Sequence, residues 1–129
     1  VLFGSTVFAA CAADLDFGGS NLYTHLGFEV GGGDIDQGWC ILRSDTTTIG
    51  LFQGMFEHNI LTFNPGWAQD ATSLDEFEDV RSIQARLEAS DLDVEILERA
   101  DPEGDGPAHI VLHDPDNNVI MFDQHVPKK

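Results

Sequence analysis

The amino-acid sequence predicts an α+β fold made of two copies of a strand-helix-strand-strand-strand unit, on three observations. The first is an internal repeat. Thr48-Ile49-Gly50-Leu51-Phe52-Gln53-Gly54 matches Val119-Ile120-Met121-Phe122-Asp123-Gln124-His125. Each follows a similar stretch, Gly38-Trp39-Cys40-Ile41-Leu42-Arg43 and Ala108-His109-Ile110-Val111-Leu112-His113, with a one-residue difference in the turn. The second is an apolar stripe, Leu74, Phe77, Val80, Ile83 and Leu87, at the spacing of one helix face. The third is length: 129 residues suit a single domain whose two halves share one fold. Module one is expected over about 1–56 and module two over about 57–126.

Each element has a local reason. Residues 3–12 are a nearly continuous apolar run, the pattern of a strand buried on both faces, and 14–19 break it. Residues 20–26 are expected to make about two helical turns, with Leu22 and Leu26 one turn apart, and to stop at Gly27. Phe28-Glu29-Val30 resumes as a short strand, and Gly31-Gly32-Gly33 has the freedom of a loop. Residues 39–43 and 46–53, rich in β-branched and aromatic side chains, form a hairpin around Ser44-Asp45. The second module opens with a strand at 59–63, which Asn64-Pro65-Gly66 ends. After a linker over 67–72, Ser73-Leu74-Asp75-Glu76 matches a capping box, so the main helix is expected from there to about Ala89. A strand at 94–97, an acidic loop at 101–106 and a closing hairpin over 109–122 complete the chain.

The 23 acidic and 6 basic residues give a formal net charge of -17. Such a surface repels phosphate backbones and anionic lipids, so neither nucleic acid nor a membrane surface is an expected partner. The plainer reading of this lysine-poor surface is an ordinary acidic soluble protein, and a high-salt habitat would also suit it. Cys11 and Cys40 fall in apolar strands and read as buried free thiols. Phe8-Ala9-Ala10-Cys11 superficially resembles a lipoprotein cleavage site but lacks a basic n-region, and no segment is long and apolar enough to span a bilayer. A cytoplasmic protein is the expectation.

Asp14-Leu15 followed by Leu22-Tyr23-Thr24-His25-Leu26-Gly27-Phe28-Glu29, the second-half helix, and Asp114-Pro115-Asp116-Asn117-Asn118 together cover most of the chain. In these pieces the sequence resembles the vicinal oxygen chelate superfamily, the group of glyoxalase I, extradiol dioxygenases, fosfomycin-resistance proteins and bleomycin-resistance proteins. Asn117 stands where the superfamily has glycine, and asparagine also tolerates positive φ. The resemblance implies two βαβββ modules side by side, their sheets curving into a cup with the helices outside, and pairing into homodimers. It does not fix the function, because this fold hosts isomerases, dioxygenases, transferases and pure drug binders.

In the metal-dependent members that the chain resembles, four side chains converge in the cup, one from the first and one from the last strand of each module. Such metals take imidazole and carboxylate ligands. Carried over residue by residue, these positions fall near Val7 and at Gly50, Asn59 and Met121. Gly50 and Met121 bring no oxygen or nitrogen side chain, Asn59 is a weak ligand, and residues 1–13 contain no histidine, aspartate or glutamate. The usual metal site is expected to be absent, and no cofactor is expected.

The candidate ligand-binding residues are Phe52, Asn59, Phe63, Trp67, His109, Met121, Asp123 and His125. Strand alternation puts Met121, Asp123 and His125 on one face, the cup face, because Ile120 and Phe122 are the natural partners of the helix. A carboxylate two residues from a histidine can orient it as a general base, while the plainer reading is polar residues at an open strand end. His109 shares a face with Val111 and His113 and is expected to line the pocket, with His113 solvated. His58 reaches the cup only if the register slips, and His25 ends a helix. The same alternation sets Phe52 beside Gly50, and Leu61 and Phe63 beside Asn59, on cup-facing positions, with Trp67 closing the rim. An aromatic pocket with a few polar anchors suits a small organic ligand, and an acidic lining favours a cation. A metal-independent small-molecule binder is therefore the leading expectation. The alternatives are an enzyme, using His125 with Asp123 or a displaced metal at His58, His109 and His125, and a structural or regulatory dimer without ligand.

Overall fold

The computed structural model describes residues 5–12 and 22–129. The expected break at 14–19, the Asp14-Leu15 signature, the start of the first helix and the Cys11 side chain lie outside the described residues. Two compact units make up the chain: Val7–Ile60, and Leu61–Lys129 together with Ser5 and Thr6. No helix among the described residues is long and apolar enough to cross a membrane.

Module one orders its strands β2-β3-β4-β1, where β1 is Ser5–Ala12, β2 Glu29–Asp34, β3 Trp39–Ser44 and β4 Thr47–Gln53. The predicted hairpin forms between β3 and β4, with Ser44 opposite Thr47 and Asp45 in the left-handed region at φ 54. β1 joins β4 in parallel, Ala9 opposite Gly50. Period-two alternation then buries Ala10, Cys40, Leu42 and Leu51 on one face, packed by Tyr23, Phe28, Ile35 and Ile49. Cys40 is a buried free thiol, as expected, and burial pushes its thiol up.

Helical geometry covers residues 22–25 of the described segment and stops at Gly27, φ 105, where the stop was expected, while one expectation fails in this module. Leu22 and Leu26 are 63% and 65% exposed, and it is Tyr23 that turns inward, meeting Phe28 edge-on with ring centroids 6.0 Å apart. Gly31-Gly32-Gly33 is strand rather than loop. At Gly33, φ 101, a Cβ would lie 2.7 Å from the Cys40 Cα, so only glycine lets β2 close against β3 there. A register shift between Val30 and Gly32 accompanies this close approach, and all six residues of β2 are exposed.

Module two orders its strands β5-β8-β7-β6, where β5 is Ile60–Asn64, β6 Ile96–Glu98, β7 Ala108–His113 and β8 Val119–Gln124. The helix α1, Val80–Glu88, packs Val80 and Ile83 against Ile110, Leu112 and Phe122, with Leu87 and Phe63 alongside. The strand-helix-strand-strand-strand order thus holds in both modules. Ile110 faces Phe122 and Leu112 faces Ile120, as Cys40 faces Leu51 and Leu42 faces Ile49 in module one. The repeat read in the sequence is therefore a repeat of core pairs. Between β7 and β8, Asn117 has φ 66, and Asp114 accepts hydrogen bonds from the backbone N–H groups of Asp116 and Asn118.

The helix begins at Val80, not at Ser73. Ser73 forms a β-bridge with Trp67, and the Leu74 N–H donates to the Gly66 carbonyl at 2.8 Å, so the first two residues of the capping box are held in extended pairing. Asp79 is the cap instead, accepting from the Arg81 N–H at 2.9 Å. Gln124, fully buried on β8, donates to Asp79 Oδ2 at 2.8 Å and accepts the Val80 N–H at 2.8 Å. Burial pushes the Asp79 carboxyl up, but the Gln124 amide and the Arg81 backbone and guanidinium outweigh it and hold it below the usual range.

Candidate functional site

Because Ile110, Leu112 and Phe122 point toward α1, the alternate residues of β7 and β8 form an open face on the other side. Val111 and Met121 stand opposite each other at its centre, and His109 stands opposite Asp123. On the β6 side of that His109–Asp123 pair, His109 Nε2 lies 2.8 Å from Glu98 Oε2. At the same end of the strand pair, His125 Nε2 lies 3.1 Å from Asp123 Oδ2, and the imidazole stacks on Trp67 with centroids 4.2 Å apart and planes 7° from parallel.

Buried polar groups fix this stack. The Trp67 carbonyl accepts the Ser5 N–H at 2.9 Å. Asn64, 4% exposed, accepts from Ser5 Oγ at 3.0 Å and donates from Nδ2 to the Asp123 carbonyl at 3.0 Å. One amide thus ties β5 to Ser5 and to the strand that carries the carboxylate. Gly66, φ 92, turns the chain into Trp67 at a point where a Cβ would come 2.2 Å from Val126 Cγ2. The hydrogen bond to Asp123 raises the proton affinity of His125, partial burial opposes the shift, and the Asp123 charge adds to it. The ring is held as an imidazolium to higher pH than a free histidine, and a cation flat against an indole face is favourable.

Of the eight sequence candidates, the structure brings Trp67, Asp123 and His125 into contact and places His109 and Met121 on the same face. Phe63, expected on that face, lies on the other. It stacks on Phe122 at 5.3 Å within the core under α1, because Thr62 and Asn64 are the β5 residues turned the opposite way and buried. Asn59 precedes β5 and is exposed, as are His58 and His25. Sequence reasoning missed Glu98 and Asn64, whose partners lie far along the chain. It also missed Trp39, which the repeat could have supplied as the counterpart of His109.

In module one, Phe52 stacks on Trp39 at 6.4 Å with planes 5° apart, and Phe56 leans on Phe52 at 5.0 Å. A Cβ on Gly50 would lie 2.5 Å from Phe52 Cε2 and 3.3 Å from Ile41 Cδ1. The Phe52 ring therefore covers the place from which a metal ligand at Gly50 would project. Gly50 faces Ile41 as Met121 faces Val111, so the last-strand positions of both modules are apolar in matching places. With Val7 and Asn59 at the first-strand positions, the residues present do not fit the metal site that the sequence resemblance implies for metal-dependent members. Among the described residues, no three His, Cys, Asp or Glu side chains gather as a metal-binding group.

No family model matches the chain, and no curated protein matches it in sequence. Solved structures do match. A glyoxalase/bleomycin resistance protein/dioxygenase superfamily member from Vibrio splendidus is 16% identical over 92% of this chain and 97% of that one, with a TM-score of 0.60. Streptomyces coelicolor methylmalonyl-CoA epimerase in complex with 2-nitronate-propionyl-CoA is 17% identical over 100% of both chains, TM-score 0.59. The Mycobacterium tuberculosis methylmalonyl-CoA epimerase is 16% identical over 96% and 89%, TM-score 0.55. The protein has the vicinal oxygen chelate fold, as the sequence motifs implied.

Proposed function

We propose that the protein is a metal-independent binder of small organic molecules, whose ligand lies on the open face of module two. The observation that carries this reading is the stack of Trp67 on His125 beside Asp123. It joins an aromatic surface, a proton-bearing ring and a carboxylate, with the buried Ser5 and Asn64 tying down the backbones of Trp67 and Asp123. Val111 and the adaptable thioether of Met121 give an apolar floor, and His109 with Glu98 gives a second polar rim. Two carboxylates and an indole on one face favour an aromatic or cationic guest. Phe63 supports the floor from the core side. The similar Streptomyces coelicolor epimerase holds 2-nitronate-propionyl-CoA, which supports ligand binding by this fold. Homodimeric assembly, a cytoplasmic location and the absence of nucleic-acid and membrane partners belong to the same proposal.

Calorimetric titration with planar aromatic cations and their neutral analogues tests it. His125→Ala and Asp123→Asn are each expected to weaken binding about tenfold, the loss of one charge-assisted contact. Thermal shift with zinc, nickel, manganese and iron is the counter-test, since any ligand of the folded form raises its melting temperature. A saturable shift abolished by His125→Ala would overturn the metal-independent reading. Light scattering after size exclusion reads the dimer.

The contact of 3.1 Å between Asp123 and His125 favours a second reading, proton transfer by an oriented histidine. Deuterium exchange at activated C–H groups of candidate substrates, lost in His125→Ala, would identify it.

A further inference from the structure

We infer that Arg43 of module one is an oxyanion-binding residue, taking the carboxylate or phosphate end of an elongated organic ligand whose apolar body lies along Ile41 and the Trp39–Phe52 stack. This site goes beyond the face of module two and uses none of its residues.

The chain spends its few cations sparingly, 6 against 23 acidic residues. Arg81 pairs with Asp79 at 3.2 Å and donates to the carbonyls of Asp101 and Gly106. Arg86 pairs with Glu78 and Arg99 with Glu88. Arg43 is the remaining arginine, and its Nε–H is buried without a hydrogen-bond partner among the described residues. Glu29 stands directly opposite it on β2, yet no ion pair joins them. A guanidinium N–H withdrawn from water and left without an acceptor is costly, and in so acidic a chain an internal carboxylate would have been the simple remedy.

Its surroundings are shaped for a guest. Cys40 and Leu42 point into the core, so Trp39, Ile41 and Arg43 alternate onto the other face of β3. Phe52 lies on that face against Trp39, its ring folded over Gly50 in the middle, and Thr48 stands opposite Arg43. A Cβ on Gly31 would lie 3.3 Å from Arg43 Cδ, so the bare backbone of β2 gives the arginine stem its room. The result is a strip with the Trp39 indole at one end and a guanidinium at the other, about 13 Å apart along the strand, and the Phe52 ring between them. Each edge of a guanidinium presents two N–H donors that match two oxygens of a carboxylate or phosphate.

The test is calorimetric titration of the full chain with phenylbutyrate, phenylbutyl phosphate, the neutral phenylbutyramide and inorganic phosphate. The two anions should bind at least tenfold more tightly than the amide, and the tighter of them names the source of the oxyanion. Arg43→Gln should lose that advantage, about tenfold to a hundredfold, Arg43→Lys should recover part of it, and Glu29→Gln should tighten anion binding by removing a competing carboxylate. Equal binding of anions and amide would overturn the inference. So would anion affinity unchanged in Arg43→Gln, or an Arg43→Gln chain that unfolds while Arg43→Lys and Glu29→Gln fold and show no preference for anions.

Discussion

Replacing Gln124 by leucine should unfold much of what positions the Trp67–His125–Asp123 stack, although Gln124 touches none of its side chains. Gln124 is 1% exposed and makes three contacts: with the Val80 N–H at 2.8 Å, with Asp79 Oδ2 at 2.8 Å and with the Val126 carbonyl at 3.0 Å. Leucine fills a similar volume but satisfies none of them. Each buried group left without a partner costs about 1–3 kcal/mol. Asp79 keeps Arg81, so its share falls at the low end, and the sum is about 3–5 kcal/mol. Whole-domain stability is about 5–15 kcal/mol, so the variant should be marginal. At this chain length the change corresponds to a melting temperature lower by about 10–20 °C. Urea and thermal unfolding at neutral pH measure it, and a Gln124→Leu chain within about 1 kcal/mol of the parent would refute the reasoning. Gln124→Glu adds a pH signature. Its second carboxyl beside Asp79 has a raised folded-state pKa, so the deficit should be largest at neutral pH and shrink as the pH falls.

Three further outcomes follow from the same contacts. The proton affinity of His125 is raised above that of a free histidine at 6.5, so its pairing with Asp123 stabilises the fold below that pH and is lost as the pH rises through the folded value; melting curves of the parent and Asp123→Asn should converge at alkaline pH. Asp79 titrates below its ordinary 3.8, so its contribution is present above that value and lost as the pH falls through the folded one; Asp79→Asn should flatten the acid limb followed by circular dichroism. Gly66→Ala combines a positive φ of 92° with a contact of 2.2 Å to Val126 Cγ2, and urea titration should show a loss of about 1–3 kcal/mol, with weaker stacking at Trp67 in its fluorescence.

The duplicated hairpins were legible because their signal is local: alternate residues bury, and Cys40, Leu42, Ile110 and Leu112 sit at matching steps of the repeat. The Asp114 turn was legible for the same reason. The helix start was not, because the capping pattern at Ser73 competes with a bridge to Trp67, while the cap that forms depends on Gln124, 45 residues away. Gly31-Gly32-Gly33 read as loop because local propensity for glycine is overruled by the close approach to Cys40. Parity along β8 and just beyond it put Asp123 and His125 on one side, and their side chains meet there at 3.1 Å. On β5 it failed, since the buried amide of Asn64 bonds to Ser5 and Asp123, 59 residues to either side, and turns Phe63 into the core. The stack of Trp67 on His125 spans a similar distance, so the sequence named both residues without showing that they touch.

β2 and β6 close the strand orders of their modules, and each makes a poor template for another chain. β2 is glycine-rich, shifted in register between Val30 and Gly32, and bounded by Glu29 and Asp34, whereas β6 is three residues long with Glu98 at its end. A long flat border with unpaired N–H and C=O groups invites edge-to-edge zippering, and neither border offers one. Misassembly by strand addition is thereby discouraged even in crowded solution, where a net charge of -17 already keeps copies apart. Any specific association between copies has to be made by side chains rather than by extending a sheet.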